Sequence, residues 1–280
     1  MLIDGISRKS IESNDNYEVK IIDQTVLPHK LKYIDLKNFS DCCKAIKDMW
    51  VRGAPLIGVT ASYGMFFALK ENSSKKNIEY SFKKLLATRP TAVDLKWALE
   101  NITDVILQIN ENDRADHVWS IARKLEADSI EQCSKIGDYG LEVIKSRIKN
   151  NKTFNILTHC NAGWLACVDW GTALAPIYKA YNSGLDIHVW VDETRPRSQG
   201  AALTAWELSK HGVPNTLIVD NAGGHLMQRG EVDICIVGSD RTAANGDVCN
   251  KIGTYMKALC AFDNDIPFYV AIPESTIDFK

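Results

Sequence analysis

The sequence predicts an α/β protein in two parts: a mainly helical N-terminal domain, then a Rossmann-like, doubly wound parallel sheet. Three observations predict it. Apolar residues recur at three- and four-residue spacing from Asn38 to about residue 150. A polar break at residues 149–152 then ends that texture. Beyond it, five short apolar runs alternate with helix-like segments, and runs apolar on both faces are the mark of a covered parallel sheet.

Taken in order, residues 17–36 read as extended, with alternation through Tyr17–Ile22 and a break at Leu27-Pro28. Helical spacing follows in Phe39, Cys42, Cys43, Ile46, Met49 and Trp50, and again in Leu95, Leu99, Ile102, Val105, Ile106 and Ile109. A long amphipathic stretch covers Ala115 to Lys149. The strands are expected at 154–158, 186–191, 215–220, 232–238 and 267–273, with helices near 164–183, 200–212, 222–230 and 251–264. The domains are drawn at 1–145 and 146–280, with the junction between about 125 and 152.

Composition narrows the function. Of 280 residues, 45% are hydrophobic and 24% charged, so a sizeable core is expected. Net charge is −2 with both signs interspersed, which argues against nucleic acid as a partner. The longest apolar run, Ala54 to Leu69, is broken by Gly58, Ser62 and Gly64, so no membrane span is expected. The N-terminal stretch has no basic flank before an apolar segment, so no secretory signal is expected. Eight scattered cysteines without CxxC spacing fit a reduced, cytoplasmic protein with free thiols and no metal site.

Ligands of open parallel sheets bind beyond the carboxyl ends of the strands. Here those ends read Thr158-His159-Cys160-Asn161, Asp192-Glu193-Thr194-Arg195, Asp220-Asn221, Ser239-Asp240-Arg241 and Pro273-Glu274-Ser275. Cys160 precedes a small-residue turn that can open a helix, whose dipole would favour a thiolate; a buried, inert thiol is the alternative. Asp240 suits an acid–base group with a raised pKa at the mouth of an apolar cleft, or a turn cap. Arg52-Gly53-Ala54-Pro55 and Arg89-Pro90-Thr91-Ala92 each set an arginine before a helix start, an arrangement suited to an anion. Arg195 is equally an ion-pair partner for Glu193 or Asp192, and His225 has no evident partner. GxGxxG, GxxxxGK[ST] and GxSxG are all missing from the sequence.

Five segments, RGAPLIGVTASYG (52–64), RPTAVDLKWAL (89–99), THCNAGWLA (158–166), DETRPRSQGAALTAWEL (192–208) and VGSDRTAANGDVCNKIGTY (237–255), resemble the methylthioribose-1-phosphate isomerase family. The wider superfamily includes ribose-1,5-bisphosphate isomerases and regulatory subunits of a translation-initiation exchange factor. The resemblance implies isomerisation of 5-methylthioribose 1-phosphate to 5-methylthioribulose 1-phosphate in methionine salvage, by a homodimer without metal or organic cofactor. It assigns Cys160 and Asp240 as the catalytic pair. Substrate contacts map onto Arg52, Gly53, Ala54, Arg89, Gln199, Asn250 and Lys251, with Trp164 a candidate for the methylthio end.

The sequence departs from the family pattern in two places: Gly-Ser-Asp-Arg-Thr at 238–242 and Val-Asp-Asn-Ala-Gly-Gly-His at 219–225. These leave 5-deoxyribose 1-phosphate as an alternative substrate. Typical members continue for several tens of residues, through a further strand and helix, so either the C-terminal domain is shortened or its sheet is completed differently. A non-catalytic subunit that binds a sugar phosphate or nucleotide is the rival from another class.

Overall fold

Helical periodicity and apolar runs become two compact units in the computed structural model, which describes residues 1–148 and 152–279. One unit comprises residues 9–131 and 166–168; the other comprises 1–8, 132–165 and 169–280. The polar break at 149–151 lies outside the described residues.

The chain opens with a short hairpin, β1 (Leu2–Ile3) and β2 (Ile6–Ser7), which the sequence did not announce. In the helical unit, the extended region becomes a three-stranded antiparallel sheet of β3 (Ile11–Ser13), β4 (Val19–Ile22) and β5 (Tyr33–Leu36). Then come α1 (Phe39–Lys47), α2 (Ala54–Glu71), α3 (Lys75–Thr88), α4 (Val93–Ile106) and α5 (Arg114–Arg147), whose first half belongs to this unit.

α2 is the axis of the unit. Every residue from Leu56 to Leu69 is buried, as befits a helix that is apolar all round. Gly58, Ser62 and Gly64 do not interrupt it. A Cβ on Gly58 would sit 3.2 Å from the Asp94 carbonyl, and one on Gly64 would sit 3.1 Å from Leu85, so both glycines allow close helix contact. Thr60 and Ser62 donate their hydroxyls to the Leu56 and Gly58 carbonyls, which keeps these polar groups satisfied in the core. Among the described residues, no helix is long and apolar enough to cross a membrane.

The second unit is built on five parallel strands: β6 (Phe154–His159), β7 (Ile187–Asp192), β8 (Asn215–Ile218), β9 (Ile234–Val237) and β12 (Phe268–Val270). Their order is β12-β9-β6-β7-β8, so the chain winds outwards from β6, then returns to its other side. The connecting helices are α6 (Ala175–Asn182), α7 (Ala205–His211), α8 (Ala222–Gln228) and α9 (Thr254–Asp263). Met227 of α8 and Ala261 of α9 pack on Leu157 and Cys235 over one face, and right-handed crossovers assign α6 and α7 to the other. Cys235 belongs to that core, where burial pushes its thiol up to about 12.

Two local expectations are corrected. The segment after Cys160 forms a 3-10 turn at Trp164–Ala166, not the start of a helix, and α6 begins at Ala175. Between the strand expected at 232–238 and the helix expected at 251–264, where no element was expected, the chain folds into a hairpin of β10 (Arg241–Ala243) and β11 (Val248–Cys249). It is turned by Asn245, whose side chain accepts from the Asp247 N–H. β10 also pairs with β13 (Ile277–Asp278).

The first hairpin is tied down at His211. Its Nδ1 accepts from the Leu2 N–H at 3.3 Å, its Nε2 lies 2.9 Å from Asn182 Oδ1, and the Met1 ammonium pairs with Asp169 at 2.5 Å. Burial, then the nearby N-terminal charge, lowers the His211 pKa from 6.5, against an opposing pull from Asp169. The neutral ring is therefore the folded form, and the unfolded chain takes up the proton first. Stability supplied by this site is complete above 6.5 and falls as the pH drops towards the lowered folded value. Urea midpoints at about pH 7.5 and about pH 5.5 should show a decrease that is smaller in His211→Gln.

Candidate functional site

The strand order sets β6 beside β9, and between them the direction of winding reverses. Ligands of such sheets bind at that switch point. Cys160 follows β6 directly, and Asp240 stands three residues beyond the end of β9. Their two loops meet: a Cβ on Gly238 would lie 2.8 Å from that of Ala162. The switch point therefore carries one thiol and one carboxylate.

Cys160 is buried and has φ +65°, a left-handed conformation that non-glycine residues rarely hold. Thr204 Oγ1 donates to its carbonyl at 2.6 Å. A 3-10 turn follows it, so the helix start expected just after Cys160 is not there. Asp240 is exposed, not set in the apolar surround expected of it, and its N–H donates to the Cys249 carbonyl at 3.0 Å. It thus stands at the foot of the β10–β11 hairpin, which returns the chain to Asn250 and Lys251. Asn250 Nδ2 donates to Thr254 Oγ1 at 3.0 Å, and that hydroxyl donates to the Lys251 carbonyl at 2.8 Å, fixing both residues at the start of α9.

Gln199 lies at the head of a π-turn, Gly200–Thr204, a distortion common at functional sites. Glu193 holds this turn: its carboxylate accepts from Gly200 N at 2.8 Å and Ala201 N at 3.1 Å. The Gln199 side chain is buried, and among the described residues its Oε1 has no hydrogen-bond donor. A buried acceptor without a donor is costly, and it suits a hydroxylated ligand. Arg195 makes no ion pair with Glu193 or Asp192 among the described residues; it donates to Ser198 Oγ at 3.2 Å. The carboxylates are already committed elsewhere, which is the reason.

Asp192 is committed to a buried cluster that the strand-end reading did not resolve. Its Oδ2 lies 2.5 Å from His159 Nδ1 and 2.9 Å from Lys257 Nζ. His159 Nε2 lies 2.8 Å from the Ile252 carbonyl, so both ring nitrogens face oxygen atoms. Gly253 makes room for it, since a Cβ there would lie 2.9 Å from the His159 ring. The cluster fastens the ends of β6 and β7 to the start of α9, next to Lys251. Trp164 is fully buried with its ring 6.3 Å from Trp206, a packing role. His225 is exposed.

In the helical unit, Arg52, Gly53 and Ala54 open α2, and Arg89 precedes α4. Gly53 has φ +92°, and a Cβ there would lie 2.3 Å from the Ala166 carbonyl, so only glycine fits. Neither Gly53 nor Ala92 caps its helix through a side chain, which leaves backbone donors open at both starts. The Gly58–Asp94 contact brings these two starts to the same end of the packed pair. Two uncapped helix starts and two arginines favour an anion there. Among the described residues, no three His, Cys, Asp or Glu side chains are grouped to hold a metal.

Comparison with known proteins shows the family. The profile described as "Initiation factor 2 subunit family" matches residues 50–280. A methylthioribose-1-phosphate isomerase of Paramagnetospirillum magneticum is 54% identical over all of this chain and 78% of its own length. Among solved structures, 5-methylthioribose 1-phosphate isomerase from Pyrococcus horikoshii OT3 superposes with a TM-score of 0.87 at 38% identity, covering 98% of this chain and 77% of that one. The translation initiation factor eIF-2B subunit delta from A. fulgidus gives 0.83 at 39% identity, over 98% and 80%. The chain belongs to the Initiation factor 2 subunit family and, within it, to the methylthioribose-1-phosphate isomerase family.

Proposed function

We propose that the protein is an aldose–ketose isomerase that converts 5-methylthioribose 1-phosphate to 5-methylthioribulose 1-phosphate in methionine salvage. The observation that carries this reading is the placement of Cys160 and Asp240 on adjoining loops at the switch point, in a chain 54% identical to a methylthioribose-1-phosphate isomerase. Phosphate on the anomeric oxygen locks the sugar ring, so no free aldehyde is available. The ring must open while a hydrogen moves from C2 to C1, and the atoms of substrate and product balance without a further reactant. Asp240 serves as the acid–base group at the ring and C2 oxygens, and Cys160 assists the hydrogen transfer.

Arg52, Gly53, Ala54 and Arg89 are assigned to substrate binding, supported by their uncapped helix starts and guanidinium groups. Gln199, with its open amide oxygen, and Asn250 and Lys251 are assigned likewise. The proposed setting is the reduced cytoplasm, supported by eight cysteines of which none is disulfide-bonded among the described residues. The working form is proposed to be a homodimer. Its support is an exposed apolar stripe on α9, formed by Tyr255, Met256, Leu259 and Phe262. Light scattering at assay concentration should return twice the chain mass.

Purified protein mixed with methylthioribose 1-phosphate should form ketose that NMR detects, faster than with 5-deoxyribose 1-phosphate. Binding without turnover of either would instead identify a non-catalytic sugar-phosphate subunit. Cys160→Ser and Asp240→Asn should each lower kcat by at least ~100-fold with the fold intact. Near-wild-type rates in either variant would remove that residue from the chemistry. Lys251→Ala should chiefly raise KM, by roughly tenfold, and an unchanged KM would count against its phosphate role.

A further inference from the structure

A left-handed conformation is unfavourable for cysteine and persists only where its surroundings hold it. Three buried side chains surround Cys160. Thr204 Oγ1 donates to the Cys160 carbonyl at 2.6 Å. Asn161 Nδ2 donates one hydrogen to Thr204 Oγ1 at 3.0 Å and the other to Glu207 Oε1 at 2.7 Å. Glu207 Oε2 accepts from Leu165 N at 3.2 Å. All three side chains are nine-tenths or more buried, with Thr204 and Glu207 wholly so.

The direction of every bond in this chain is fixed by chemistry. An amide nitrogen only donates, so the Glu207 oxygens accept from Asn161 and Leu165. The Thr204 hydroxyl accepts from Asn161, so its own hydrogen goes to the Cys160 carbonyl. Thr204 and Glu207 are three residues apart and share one helical face, so one element presents both. Glu207 also occupies the space beside Gly163: a Cβ there would fall 1.6 Å from Glu207 Oε1. The turn after Cys160 thus has one low-energy seat.

We propose that Thr204 is a positioning residue for Cys160: its hydroxyl, aimed by Asn161 and Glu207, holds the left-handed turn that sets where the thiol stands. The proposal rests on the reading of Cys160 as catalytic, and it adds a residue that acts on the Cys160 backbone carbonyl. The side chain's shape is not the point. Valine has nearly the same outline and cannot make the bond, whereas serine can.

Wild type, Thr204→Val, Thr204→Ser and Cys160→Ser are compared in two measurements. One is kcat and KM on methylthioribose 1-phosphate. The other is the rate at which iodoacetamide alkylates Cys160, resolved from the remaining thiols by peptide mass spectrometry. Thr204→Val should lower kcat by at least ~10-fold with KM held within ~2-fold, and should change Cys160 alkylation several-fold. Thr204→Ser should stay close to wild type in both. Circular dichroism checks the fold, and Thr204→Ala supplies a second hydroxyl deletion should valine prevent folding. Wild-type alkylation of Cys160 in the hydroxyl deletions overturns the proposal, as does equal impairment by serine and valine. Altered alkylation with unchanged kcat upholds the positioning and removes Cys160 from the chemistry, an outcome Cys160→Ser would report independently as retained activity.

Discussion

One carboxylate oxygen organises the edge where the site lies. Asp192 Oδ2 is shared by the His159 ring and the Lys257 ammonium, in a place with no access to water. A buried acid tolerates that setting only while its partners stay. Each partner is anchored in turn, His159 at the Ile252 carbonyl and Lys257 at the Asp220 carbonyl. Two strand ends and the entries to two helices are therefore pinned through a single group. Loss of the Lys257 ammonium would leave a buried charge uncompensated, a defect typically worth ~3–5 kcal/mol.

That anchoring keeps the loops of the candidate site from being loose. Cys160 extends directly from the pinned His159, and Lys251 is next to the pinned Ile252. The β10–β11 hairpin joins the Asp240 end to the Lys251 end by backbone pairing. Binding groups placed on exits from a rigid sheet keep their spacing, which is the benefit of putting them there. The helical unit achieves the same by different means, through close contact of α2 and α4 at Gly58.

The five strands were legible as short apolar runs, most clearly the central β6 and β9, which are buried almost throughout, whereas β8 and β12 at the edges are half-buried or exposed. Cys160 and Asp240 were legible for a related reason: each follows such a run. That β6 and β9 are neighbours was not legible, since sequence order cannot say on which side of β6 the chain returns. The β10–β11 hairpin was missed because Arg241–Ala243 and Val248–Cys249 are too short and too polar to show a period. The cluster of Asn161, Thr204 and Glu207 was missed because no spacing rule connects positions some forty residues apart. In isolation, Glu207 reads as the solvent face of an amphipathic helix. The α6 start was misplaced because Trp164 and Leu165 share helical spacing with it while serving the core. Glycines were informative only afterwards, once the structure showed what occupies the missing Cβ positions at 53, 163 and 238.

α2 also bears on how the chain comes to be folded at all. Its Leu56–Leu69 segment has no polar face to offer water, so it is not a stable surface helix on its own. The partners that cover it, α1 on one side and α3 and α4 on the other, flank it in sequence. During synthesis α1 is already present, but α4 emerges only after a further stretch of chain. Until then the segment is a sticky, unfinished surface and a natural ligand for chaperones. Truncation anywhere before Ile106 would strand it in that state.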